Sequence, residues 1–195
     1  IVNTALPFSL FAYASLESSS NMLSILNGTT AIMAVVISTI WLKVKLNLFQ
    51  IMGVFIGLFG IVVLANPDNI YISTKATVFC LSAAFCYALS ANYIQKFAYK
   101  TNTIVLIGWS IVLASIFLLP LTIFNLPSEF PSNKAIFSIL WLGVISTGIA
   151  FLGYVRLIEK VGAVKTATVA YFIPIFGVIW GYVFLGEQIT LQILI

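Results

Sequence analysis

Histidine is absent from these 195 residues and charge is scarce: nine Lys and Arg with five Asp and Glu make up 7% of the chain. Without His, the commonest general base near neutral pH and a common metal ligand are both missing. A soluble domain carries about 25% charged residues, so this chain has too few to cover a surface that faces water. Cysteine is nearly absent too. Cys80 and Cys86 stand six apart in one apolar run. On a helix they face about 120° away from each other, which argues against a mutual disulfide and for two small packing residues. No phosphate-cradling glycine loop, nucleophile–base pair or cluster of metal ligands is legible. ATP drive by this chain, enzyme chemistry in the membrane, and a bound cofactor or metal therefore all lack their residues. The net charge of +4 does not signal nucleic acid, because the cations stand singly between apolar runs and form no patch.

What is present is apolar: 62% of the residues. Runs at about 22–42, 47–65, 76–95, 103–124, 135–155 and 166–185 each reach about 28–33 Å as helices, close to the thickness of the hydrocarbon core. A partial run covers 1–16 and another begins at Ile189. In lipid every backbone polar group must be paired internally, and the alternation of a barrel strand is missing, so the runs predict helices. The fold class is an all-α polytopic membrane protein with the lipid bilayer as its first partner. Both ends of the chain lie inside apolar runs, so we expect a piece of a longer protein.

The links are short, which makes neighbouring helices antiparallel. Alternating the links between two sides puts Lys43, Lys45, Lys96, Lys100, Arg156, Lys160 and Lys165 on one side, and Lys75 and Lys134 on the other. Glu17, Asp68, Glu129 and Glu187 oppose the cation-rich side, and only Glu159 joins it. The positive-inside rule assigns the cation-rich side to the cytoplasm. We expect a multi-pass protein of the bacterial inner (plasma) membrane.

A shift of 143 residues lays "AIMAVVISTIWLKVKLNL" (31–48) on "PIFGVIWGYVFLGEQITL" (174–191) without a gap. Ile32, Val35, Leu42 and Leu48 meet Ile175, Val178, Leu185 and Leu191. By charge the two copies run in opposite directions, as in the inverted repeats of secondary transporters. We expect five-helix units, ten helices when intact, with about six full and two partial helices here. Residues 1–66 would be the C-terminal part of the first unit, 67–75 an external linker, and 76–195 the second unit, truncated in its last helix.

The segment 143–191 carries Ser146, Thr147 and Ala150, then an aromatic-rich helix end, the Gly162–Ala163 turn, a mid-helix Pro174, and Leu185-Gly186-Glu187. In these it resembles the second EamA domain of the drug/metabolite transporter superfamily, and "LFQIMGVFIGLFGIVVL" (48–64) resembles the closing helix of the first. In the first unit Ala31 stands in place of the family's proline, and Val44 where a glutamate is frequent. The resemblance implies ten helices in inverted halves and the export or exchange of small metabolites.

Polar residues inside spans are the strongest functional pointers. Ser24, Asn27 and Thr30 share a helical face. Tyr87, Ser90 and Asn92 mark the run at 76–95, with Tyr87 and Ser90 on one face, and Ser146, Thr147 and Tyr154 mark the run at 135–155. Singly each reads as an interhelical hydrogen bond; together they read as a substrate-binding cavity. Pro174 removes an N–H and would free the carbonyl of Ala170 beside Tyr171, either as a packing kink or as cavity lining. Trp180 reads as packing or as a stacking wall, Trp41 as an interfacial anchor. Gly53 with Gly57, and Gly177 with Gly181, allow close helix approach. Glu17 and Glu187 read as link and cap residues first, and as coupling acids second.

Two functions fit. The first is a secondary transporter or permease for a small neutral or zwitterionic metabolite, since an anionic one would call for Arg or Lys in the cavity. The second is a non-transporting membrane scaffold or subunit. The charge pattern makes a direct prediction. With Cys80 and Cys86 replaced by Ser, a Lys134→Cys thiol should react with a membrane-impermeant maleimide on intact cells. A Lys45→Cys thiol should react only after lysis, and the opposite pattern would overturn the orientation.

Overall fold

The computed structural model describes residues 1–64, 73–98, 101–126 and 130–186. The link at 66–69, most of the 67–75 linker, Lys100, Glu129, Glu187 and the run from Ile189 lie outside the described residues. The helices are α1 (Ala5–Ala14), α2 (Ser20–Asn27), α3 (Thr29–Trp41), α4 (Leu48–Leu64), α5 (Thr74–Tyr93), α6 (Thr103–Phe124), α7 (Asn133–Trp141), α8 (Ala150–Val161), α9 (Ala163–Ala167) and α10 (Ile173–Leu185). A π-helical stretch, Ile94–Ala98, extends α5, and a second, Leu142–Ile149, joins α7 to α8. A 3-10 turn, Thr168–Phe172, joins α9 to α10. No strand occurs among the described residues.

The starts follow from the sequence. Ser73, Asn102 and Ser132 each accept a backbone N–H of the turn they precede, from Ala76, Ile104 and Ala135. Such caps satisfy donors that a helix start leaves open. Ser19 does the same for α2 through Met22.

Among the described residues, five helical stretches are long and apolar enough to cross a bilayer: Met22–Trp41, Thr74–Phe97, Ile104–Phe124, Asn133–Val161 and Ala163–Phe184. They match five of the six runs expected as full spans. The sixth, α4, has 17 residues, about 25 Å of helix, somewhat short of the ~30 Å hydrocarbon core. The chain is thus a multi-pass membrane protein. Large apolar side chains such as Trp109, Ile116, Phe137, Leu142 and Ile149 are more than half exposed. In lipid this exposure costs nothing, because acyl chains are as apolar as they are.

The helix α5 stands at the centre, packed against α1, α2, α3 and α9. Its buried residues Ala76, Cys80, Ala83, Ala84, Ala88, Ala91 and Asn92 follow helical spacing along one stripe. All but Asn92 are small, so neighbouring backbones come close. Cys80 packs with Ala14, Met22 and Leu26, and both cysteines are free thiols.

Asn92 gives this stripe its one strongly polar member. Its Oδ1 accepts the Ser38 hydroxyl of α3, and its Nδ2 donates to the carbonyls of Ala34 at 3.2 Å and Ala88 at 2.9 Å. Asn92 and Ser38 are both fully buried. A second cross-link lies toward the Lys-rich end, where the Ala163 N–H donates to Gln95 Oε1 at 2.6 Å beside Gly162 at φ +85°.

An Asn92→Ala exchange would strand the Ser38 hydroxyl and open space between α3 and α5. Losing these bonds and packing should cost about 1–3 kcal/mol. Thermal unfolding in detergent should show a clear drop, with Ser38→Ala falling less. A wild-type melting temperature for Asn92→Ala would show that the network carries no stability.

Candidate functional site

A cavity of about 450 Å³ opens where α1, the α2–α3 junction, α5, α8 and the α9–α10 segment meet. That size suits a small-molecule site. The α1 end contributes Asn3, Thr4 and Phe8. Asn27 and Thr30 come from the α2–α3 junction and Tyr87 from α5. Ser146, Thr147, Phe151 and Tyr154 line a further wall, and Thr166, Ala167, Val169, Ala170 and Ile173 complete it. No Asp, Glu, Lys or Arg lies among the described lining residues.

Three of these walls depart from regular α-helix. The first is the break between α2 and α3, where Gly28 separates Asn27 from Thr29. The Thr30 hydroxyl donates to Asn27 Oδ1 at 3.1 Å, which leaves the Asn27 amide N–H groups directed to no partner among the described residues. The second is the π-helical stretch Leu142–Ile149, which carries Ser146 and Thr147; the Thr147 hydroxyl satisfies the Leu142 carbonyl at 2.9 Å. The third is the 3-10 turn. Irregular backbone at membrane depth is tolerated where it is buried in protein or lines a cavity, and π-bulges recur at functional sites.

The 3-10 turn also decides which expected residues reach the cavity. With three residues per turn, side chains three apart eclipse. Ala167, Ala170 and Ile173 line the cavity on one row, and Thr166 and Val169 on the next. Thr168, Tyr171 and Pro174 form the third row, and none of the three lines it. Tyr171 instead packs with the Ala31, Ala34 and Ala88 cluster. A Cβ at Gly57 of α4 would lie 2.7 Å from its phenol.

Pro174 is likewise redirected. It is buried in the second position of α10 rather than in mid-helix. A helix start is where a missing N–H costs least. The Ala170 carbonyl, expected to be free, accepts the Ile173 N–H across the 3-10 turn.

Of the remaining expected residues, Asn27, Thr30, Tyr87, Ser146 and Tyr154 line one cavity, while Ser90 does not. Trp180 is 52% exposed and rests on Phe184 with ring centroids 5.4 Å apart, so it is no wall of the site. Between it and the cavity, Gly177 meets α2: a Cβ there would lie 2.5 Å from Ser24 Cβ. Phe11 stacks on Tyr87 at 6.2 Å, and Phe151 lies nearly parallel to Tyr154 at 6.4 Å. Packing of this kind holds flat ring faces along the lining.

Asn3 and Thr4 escaped the sequence reading because they head an apolar run that is only partial. Asn3 Oδ1 and Thr4 Oγ1 are buried without a hydrogen-bond partner, and both residues border the cavity. A buried polar atom without a partner costs about 1–3 kcal/mol, so these two favour a polar occupant nearby. Glu17 is engaged elsewhere. It accepts the Ser73 hydroxyl and pairs with Lys75 at 3.6 Å, tying the end of α1 to the start of α5. The Ser73 hydrogen bond, helped by Lys75, holds its carboxyl below the usual carboxylate range.

The Ser24–Gly177 contact is testable. Gly177→Val forces α2 and α10 apart, and overpacking of this kind costs about 1–3 kcal/mol. Its melting temperature should fall, and Ser24→Gly in the same chain should restore part of the loss. Full stability of Gly177→Val alone would refute the contact.

The chain resembles proteins named as transporters. It is 29% identical over 182 residues to the uncharacterized transporter YoaV of Bacillus subtilis (strain 168), covering 90% of this chain and 62% of that protein. It is 28% identical over 176 residues to an uncharacterized transporter of Archaeoglobus fulgidus, covering 89% and 62%. An uncharacterized inner membrane transporter, YicL of Salmonella typhimurium, is 25% identical over 146 residues, 75% of this chain and 49% of that one. The chain thus spans about three-fifths of the first two relatives. A crystal structure shares its fold with a TM-score of 0.76 at 16% identity, covering 99% of this chain and 69% of the other. The profile of the EamA-like transporter family matches residues 1–66 and 74–195. On that match the chain belongs to the EamA-like transporter family.

Proposed function

We propose that the protein moves a small neutral or zwitterionic metabolite, such as an amino acid, across the bacterial inner membrane, outward and by alternating access. The observation that carries this reading is the cavity: about 450 Å³, with hydroxyls, two side-chain amides and aromatic rings along its lining and no charged residue among the described ones there. Such a lining can replace the hydration of a neutral or dipolar solute, whereas a free anion or cation would find no counter-charge. Membership of a transporter family supports the same class of activity. The expected inverted repeat gives a mechanism, with the solute held between two halves that rock about it. The irregular backbone on three walls supports it, because broken helices in transporters mark such sites. A scaffold would need no polar cavity of this kind.

Flux measured in proteoliposomes carrying the full-length protein, against a panel of neutral, zwitterionic and charged metabolites, tests the proposal. Neutral or zwitterionic compounds should cross, and Asn27→Leu or Tyr87→Leu should reduce that flux at least tenfold while the protein stays folded. Flux of only charged compounds, or of none, would refute it.

A further inference from the structure

The Lys-rich ends of two spans form a site that the cavity does not explain. The span-length helices Met22–Trp41 and Thr74–Phe97 end side by side on Trp41 and Phe97. Three rings gather there. Tyr93 and Phe97 have centroids 4.9 Å apart, and Trp41 lies 6.3 Å from Tyr93 and 5.9 Å from Phe97. The Lys96 ammonium sits over two of them, 4.9 Å from the Trp41 centroid and 5.4 Å from that of Phe97. Ring faces attract a cation at this range, so the ammonium rests against the rings while the Lys96 side chain stays exposed at the helix ends.

That ammonium has three N–H donors and no carboxylate partner among the described residues. A second cation, Lys43, follows two residues after Trp41, where the end of α3 turns through φ +54°. Where both apolar spans stop, the surroundings are neither hydrocarbon nor free water but lipid headgroups, the depth at which Trp and Tyr collect. An acceptor for the Lys96 N–H groups at that depth is a phosphate. The cations assign this face to the cytoplasm, where the leaflet carries anionic lipid.

We propose that Trp41, Tyr93, Phe97 and Lys96, with Lys43 adding charge, form a binding site for the phosphate of an anionic phospholipid. The rings pack on its glycerol and upper acyl carbons, and Lys96 donates to its phosphate. Bound there, the lipid bridges α3 and α5 at the end opposite the Glu17–Ser73 tie. It thereby stabilises the helix pair that Asn92 joins in its interior.

The test is thermal unfolding of the full chain in detergent, titrated with phosphatidylglycerol, phosphatidylcholine or inorganic phosphate. Phosphatidylglycerol should raise the melting temperature. Lys96→Gln should demand about fivefold more of it for the same rise, and Lys96→Arg should retain the effect. Lys134→Gln, at the opposite end of the spans by charge, should leave it unchanged. If Lys96→Gln is not recovered folded, Trp41→Leu removes the ring face and should weaken the response in the same direction. Equal rises with phosphatidylcholine would overturn recognition of lipid charge. Equal rises with inorganic phosphate would reassign the site to a free anion. An unchanged response in Lys96→Gln or Trp41→Leu would overturn the site itself.

Discussion

The close packing of α5 is the constraint on which the other elements depend. In lipid, apolar area drives little helix association, because the acyl chains solvate side chains as well as another helix does. Contact must come from surfaces smooth enough to touch and from polar groups that hydrocarbon cannot satisfy. The α5 stripe supplies both. Its alanines and Cys80 admit α1, α2 and α3, and Asn92 draws three hydrogen bonds out of α3 and its own preceding turn. Because α3 is held there, its N-terminal end with Thr30, and Asn27 just before it, are carried to the cavity that Tyr87 enters from α5.

The cavity exists where that packing stops. On one side Gly177 reaches Ser24, one turn beyond Asn27 and Ile173, and no space remains. Toward the cavity the backbone loosens into a helix break, a π-helical stretch and a 3-10 turn. Close packing and irregular backbone thus divide the interior into a sealed part and a hollow part. The proposed transport would need this division, since a uniformly packed bundle would leave no room and a uniformly loose one would not hold its shape.

Part of the site was legible in the residue pattern and part was not. Asn27, Thr30, Tyr87, Ser146 and Tyr154 stood out because a polar side chain in an apolar run needs a reason, and one cavity gathers all five. Tyr171 and Pro174 stood out on the same ground and do not reach it. Their positions follow from three residues per turn rather than 3.6, and no spacing rule announces a 3-10 turn inside a long apolar run. Trp180 drew notice by size alone and faces outward. Asn3 and Thr4 went unnoticed, although the burial of their polar atoms beside the cavity sets them apart once the helices are assembled.

The sequence by itself determined the solvent of this protein, the positions of its helices and the uncharged character of its interior. Those properties follow from composition and from the length of apolar runs, which are local and additive. Its motifs also pointed to the family. The tertiary structure alone decided which polar residues share one space, which glycines are points of contact, and that Lys96 rests on rings contributed by two helices. Such outcomes depend on the rotation of each helix about its axis. That rotation is set by close contacts between residues far apart in the chain, such as Ser38 with Asn92 and Ser24 with Gly177.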